Sequence, residues 1–143
     1  MAETVKDILK VKHNEVWTTG PDATVYDSIS LMADKKVGAL VVTEGTKVLG
    51  IITERDYTHK VILQGKASKN TPVRDIMTDR VIYVQPDQKI EECMALMTEK
   101  KIRHLPVLDE GKLVGVISIG DVVKALISEK QFVIDQLTKY ISS

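Results

Sequence analysis

The chain has 143 residues, 43% of them hydrophobic, with 20 basic side chains against 20 acidic ones. That length suits one ordinary domain or two small ones sharing a core, and it can bury a real core. Zero net charge without a basic block excludes nucleic acid as the main partner.

The longest apolar run, Val37–Val42, is far too short to span a bilayer, and Met1–Lys10 lacks an apolar signal core. The single Cys93 rules out an internal disulfide and fits a reducing compartment. The expectation is a soluble, cytoplasmic protein with no membrane partner.

Thr4–Lys10 reads as a short helix with Val5, Ile8 and Leu9 on one face. Lys12–Glu15 reads as a loop and Glu15–Thr19 as a short strand, broken by Gly20-Pro21-Asp22. Thr24 and Asp27 form a capping box before a helix with the stripe Val25, Ile29, Met32, which Lys35-Lys36 close. Gly38–Thr43 and Lys47–Thr53 are a predicted strand pair around the turn Glu44-Gly45-Thr46. Asp56–Gln64 is the next predicted helix, and Gly65–Thr71 is the best linker.

Pro72 then suits the first turn of a short helix reaching Thr78. A strand Val81–Val84, a helix carrying Ile90, Met94 and Met97, and strands Leu105–Leu108 and Lys112–Ser118 follow, then a helix Asp121–Glu129. The tail carries a stripe of Val133, Leu137, Tyr140 and Ile141, which either packs on its own domain or meets a second copy. The division along the chain is 4–66, 72–130 and a tail of 131–143.

The second half repeats the first. A shift of 65 residues lays Pro21–Asp56 on Pro86–Asp121 without a gap, and 12 of the 36 positions are identical. Unrelated sequence would match at about two. Val5–Leu9 matches Val73–Met77 at a shift of 68, so the first copy holds three extra residues around Lys10–Glu15. Two copies of so long a unit indicate two similar halves, not a solenoid.

Each copy ends in the same junction. Val48–Asp56 and Leu113–Asp121 both run from an apolar strand through a Gly to a hydroxyl, two variable residues and an Asp. Thr53-x-x-Asp56 and Ser118-x-x-Asp121 are capping-box patterns, and a plain helix cap accounts for both. The same geometry also offers free N–H groups and partial positive charge to a phosphate.

The ordered set Val73-Arg74-Asp75-Ile76-Met77, Arg103 to Asp109 and Gly115 to Asp121, with Gly38 to Val42 and Gly50 to Asp56 in the first copy, resembles a CBS-domain pair, or Bateman module. The resemblance covers about Thr4 to Lys130. It implies an α+β fold, an α/β sandwich of two β-α-β-β-α repeats packed about a pseudo-twofold axis. It also implies two clefts for adenosine compounds, a regulatory role without catalysis, and a stand-alone pair acting as a homodimer on a regulated protein.

By this resemblance the Asp takes the ribose hydroxyls, as an ionised acceptor can. One cleft is expected to hold Thr53, Arg55, Asp56, Val81, Ile82, Arg103 and His104, and the other Val16, Trp17, Gly38, Ala39, Ser118 and Asp121. The first is the more cationic as drawn, so Asp56→Ala or Arg103→Ala is expected to weaken binding more than Asp121→Ala. AMP or NAD is favoured; ATP and ADP also fit, and the cationic S-adenosylmethionine fits less well. An alternative is a ligand-free docking homodimer.

His13, His59, His104 and Cys93 have no metal-ligand spacing, and no catalytic motif is present. Cys93, which aligns with Ser28, reads as a buried structural residue.

Overall fold

The computed structural model describes residues 2–12 and 16–142. The loop expected at Lys12–Glu15, the start of the strand expected from Glu15, and His13 therefore fall at least partly outside the described residues. The chain forms two compact units, one of residues 1–16 with 82–143 and the other of Trp17–Val81.

The unit Trp17–Val81 holds β1 (Thr18–Thr19), α2 (Val25–Lys35), β2 (Ala39–Glu44), β3 (Lys47–Thr53) and α3 (Glu54–Tyr57). Its sheet has the order β1-β2-β3, with β1 parallel and β3 antiparallel to β2. Thr24 caps α2, its hydroxyl accepting from the Asp27 N–H. Val25, Met32, Leu40, Val42, Ile52, Val61, Val73 and Ile76 form the core.

The helix expected at Asp56–Gln64 is instead the single turn α3 followed by a π turn, Thr58–Ile62. The helix expected after Pro72 is only a 3-10 turn, Val73–Asp75. Its first N–H groups are spent on the neighbouring loop, Val73 to the Ala23 carbonyl at 2.8 Å and Arg74 to the Pro21 carbonyl at 2.9 Å.

The other unit holds α1 (Val5–Val11), α4 (Ile90–Lys100), β4 (His104–Asp109), β5 (Lys112–Ser118) and α5 (Ile119–Ser142). Val5, Ile8 and Leu9 from α1 pack with Ile90, Cys93, Met97, Leu105, Ile117 and Val122. The matching segments Val5–Leu9 and Val73–Met77 are thus exchanged: each precedes one repeat along the chain and packs in the unit that contains the other.

The repeat extends to fine detail. Ala39 stands opposite Thr53 as His104 stands opposite Ser118. Bulges fall between Val42 and Thr43 and between Val107 and Leu108. Helices α2 and α4 both end on a lysine in the left-handed region, Lys36 (φ 57°) and Lys101 (φ 55°).

One position breaks the symmetry. The strand expected at Val81–Val84 is reduced to a single parallel bridge between Val84 and Val107. Val84 donates its N–H to the Pro106 carbonyl and accepts from the Leu108 N–H. The next rung of such a ladder would need an N–H from residue 106, and proline has none. The first copy has Val41 there, and β1 pairs with it as a strand.

The tail also differs from expectation. It is not a separate element, because α5 runs unbroken for 24 residues. Nothing between Ser128 and Gln131 is a helix breaker.

Candidate functional site

At the first junction β3 delivers Thr53 in extended backbone (φ −124°, ψ 164°) and α3 starts directly after it. The Asp56 N–H donates to Thr53 Oγ1 at 3.1 Å, and the Thr53 N–H donates back to Asp56 Oδ2 at 3.0 Å. The Asp56 carboxylate is buried, 8% exposed as a residue, and its Oδ1 lies 3.1 Å from Lys60 Nζ. The Glu54 N–H donates to the Gly38 carbonyl at 3.1 Å, which ties the helix start to the head of β2. Arg55 is exposed. A hollow of about 290 Å³ beside this junction is lined by Ile29, Lys36, Gly38 and Glu54 among others.

The second junction has the same box, with the Ser118 N–H donating to Asp121 Oδ2 at 2.8 Å and the Asp121 N–H to Ser118 Oγ at 3.2 Å. Its lysine comes from far away in sequence. Lys12, at the end of α1, places Nζ 2.8 Å from Asp121 Oδ2 and 2.8 Å from the Val116 carbonyl. The Ile119 N–H donates to the Arg103 carbonyl at 2.8 Å, and His104 lies across from Ser118.

Burial pushes the Asp121 carboxyl up. The Lys12 hydrogen bond and charge, together with the Ser118 N–H and hydroxyl, more than offset this and leave it below the ordinary aspartate value. Burial also lowers the His104 imidazole, and Lys12 and Arg103 lower it further against the opposing charge of Asp121. His104 is thus held neutral at pH 7.

Each junction has its own neighbours inside its unit. Within a unit, Thr53, Arg55 and Asp56 keep company with Gly38 and Ala39. Ser118 and Asp121 keep company with Arg103 and His104. The cleft assignments drawn from the sequence combine residues of both repeats, and each junction by itself carries one lysine, Lys60 at Asp56 and Lys12 at Asp121.

Val16, Trp17, Val81 and Ile82 flank the two points where the chain passes from one unit to the other. Trp17 lies against the core of its own unit, with Lys35 Nζ 4.3 Å above its ring, and Ile82 packs on the core of the other. Lys12 and Lys60 were not expected at the junctions. Lys60 was legible as the residue four after Asp56 on a helix. Lys12 carried no such signal, because it lies in the segment where the two copies differ in length.

Cys93 is buried, and burial, with Glu92 and Glu91 adding to it, raises its thiol to about 11. It is a packing residue and not a nucleophile. Among the described residues no group of His, Cys, Asp and Glu is arranged to hold a metal, and no helix is long and apolar enough to cross a membrane.

Two copies of one fold, each ending in the same hydroxyl-x-x-Asp junction, define a tandem module. The family model of the CBS domain matches residues 5–62 and 73–128, and the chain belongs to the CBS-domain family, as a tandem pair. The mitochondrial CBS domain-containing protein CBSX3 of Arabidopsis thaliana is 43% identical, covering 96% of this chain and 71% of that protein. YhcV of Bacillus subtilis, also a CBS domain-containing protein, is 33% identical over 82% of this chain and 81% of its own length. A solved CBS-domain structure from Burkholderia ambifaria is 54% identical, with a TM-score of 0.84, covering 87% of this chain and 94% of that one. Tandem CBS pairs are commonly regulatory modules, and CBS domains generally bind adenosine-containing ligands.

Proposed function

We propose that this chain is a non-enzymatic sensor of an adenosine nucleotide. The observation that carries the reading is the junction built twice. In each unit a carboxylate is held by the N–H of its own cap residue at the start of a helix. At the second junction Lys12 binds it, and His104 lies across the strand pair from Ser118. Asp56 and Asp121 receive ribose hydroxyls. Thr53, Arg55, Arg103 and His104, with Val81 and Ile82 as wall positions, serve the ligand of Asp56, and Ser118, Val16, Trp17, Gly38 and Ala39 that of Asp121.

Lys12 and Arg103 favour phosphate, so AMP or NAD stands ahead of ATP and ADP, and S-adenosylmethionine, which is cationic, is disfavoured. The nucleotide shifts the population between arrangements of the protein, and a partner protein reads the change. The working form is a cytoplasmic homodimer.

A thermal-shift panel with AMP, ADP, ATP, NAD, NADH and S-adenosylmethionine tests the reading. A ligand at about 100 times its dissociation constant adds about 2.7 kcal/mol to the folded state. One or two members of the panel should raise the melting temperature. Asp56→Ala or Arg103→Ala should remove more of that rise than Asp121→Ala. A flat panel on nucleotide-free protein would leave the chain as a docking homodimer.

A further inference from the structure

The two halves of α5 have different surroundings. The first half is anchored, with Val122 fully buried and Ile119, Ala125 and Leu126 packed on the core of the unit. The family match stops at residue 128, and every residue from Gln131 to Ser142 is exposed. This exposed half is nonetheless apolar on one side. Ile127, Ile134 and Ile141 recur every seven residues and are 61, 54 and 81% exposed. Leu137 and Val133 lie beside them, 56 and 47% exposed.

We propose that this half of α5 pairs with the same segment of a second copy as a two-stranded coiled coil. The proposal rests on the homodimer reading and names its surface. A seven-residue apolar period is the signature of a left-handed helix pair, and isoleucine at one seam position with leucine at the other favours two strands. Lys130 takes the seam position one heptad before Leu137, where a single polar residue restricts register.

The exposed apolar area is on the order of 500–600 Å² per copy, at the upper end of the largest patch a monomer usually leaves open. It approaches the ~800 Å² per partner of a standard interface. Residues 127–142 carry two lysines and two acids. A lipid-bound helix has a basic polar face, and this one has no such excess. A projecting helical segment of this length is also marginal alone in water, and a second helix along its apolar side stabilises it.

The test is the particle mass of the full chain by light scattering at ~10 μM, with and without Ile134→Glu plus Leu137→Glu. Both positions are exposed, so the variant should keep its cooperative melting transition while its self-association weakens at least tenfold and its mass halves. Gln136→Glu, on the far side of the helix, should leave the mass unchanged. A wild-type dimer whose mass survives the double substitution overturns the tail pairing and leaves the homodimer reading standing. A wild-type monomer overturns both. Wild-type sedimentation with phosphatidylcholine–phosphatidylserine vesicles, lost in the double variant, would assign the stripe to lipid and overturn the pairing.

Discussion

Thr53–Asp56 and Ser118–Asp121 close the same box with the same atoms, yet their surroundings differ. Asp56 is buried and its lysine is local, one turn further along the chain. Asp121 is less buried and its lysine arrives from α1, 109 residues upstream. The first junction leads into a single α turn, the second into a helix of 24 residues. Repetition has preserved the backbone device that holds a carboxylate at a helix start. The charge around that carboxylate has been set separately in each copy. The lesson is that a repeat identifies the site, while its non-repeating neighbours decide what the site favours.

The largest contrast expected between the copies is in packing. Gly50 and Gly115 are equivalent positions in β3 and β5. A Cβ on Gly50 would stand 2.6 Å from the Thr78 carbonyl oxygen, whereas one on Gly115 would stand 2.5 Å from Leu9 Cδ2. The first obstacle is backbone, held by two hydrogen bonds of 2.9 Å between Ile51 and Thr78. The second is the end of a side chain that can rotate. Gly50→Ala should therefore cost about 3 kcal/mol and Gly115→Ala about 1 kcal/mol. Urea unfolding of the two variants checks this; equal losses would mean that α1 is held as rigidly over Gly115 as Thr78 is over Gly50.

Much of this was legible in the sequence, for reasons that can be named. The strand pairs followed from β-branched runs around short polar turns. The helices α1, α2 and α4 followed from apolar stripes, in α2 behind the cap Thr24. Both boxes were visible as hydroxyl-x-x-Asp. The strand at Val81–Val84 was misjudged because its residues have strand composition, while the veto comes from Pro106, on a neighbouring strand. The turn at Val73–Asp75 was misjudged because tertiary hydrogen bonds to Ala23 and Pro21 overrode a local helix preference. The exchange of α1 between units, and with it the position of Lys12 at Asp121, depends on contacts 80 to 109 residues apart. No local pattern encodes them.

A smaller contrast separates the two lysines. Lys12 bonds both Asp121 and a backbone carbonyl, and Lys60 pairs with Asp56 as an i,i+4 neighbour while donating to the Ile76 carbonyl. Both ammonium groups are about a third exposed or more, so water screens both pairs. Lys12→Met should cost about 1 kcal/mol and Lys60→Met about 0.5 kcal/mol. The Lys12 contribution also has a distinct pH signature. Because the folded state holds the Asp121 carboxyl below its ordinary value, this stabilisation is present above the unfolded value of 3.8 and disappears as pH falls through the folded value. Chemical denaturation of wild type and Lys12→Met from pH 7 into acid should show the gap between the two curves narrowing as pH falls below 3.8. A constant gap would mean that Lys12 acts through the Val116 carbonyl alone.

The smallest effect belongs to His104, and it has no counterpart in the first copy, where Ala39 occupies the position. Burial, and then the charge of Lys12, with Arg103 adding and Asp121 opposing, holds the imidazole below its ordinary value of 6.5. The unfolded chain therefore takes up this proton first as pH falls. Stability should decline from about pH 7 through 6.5 and level off once the folded imidazole is also charged. His104→Gln should flatten that part of the stability curve. Lys12→Met should move the His104 titration back toward 6.5 when followed by its ring proton resonances, because one of the charges holding it down is gone. Movement in the other direction would mean that freeing Asp121 buries the ring more deeply, and that burial outweighs charge at this junction.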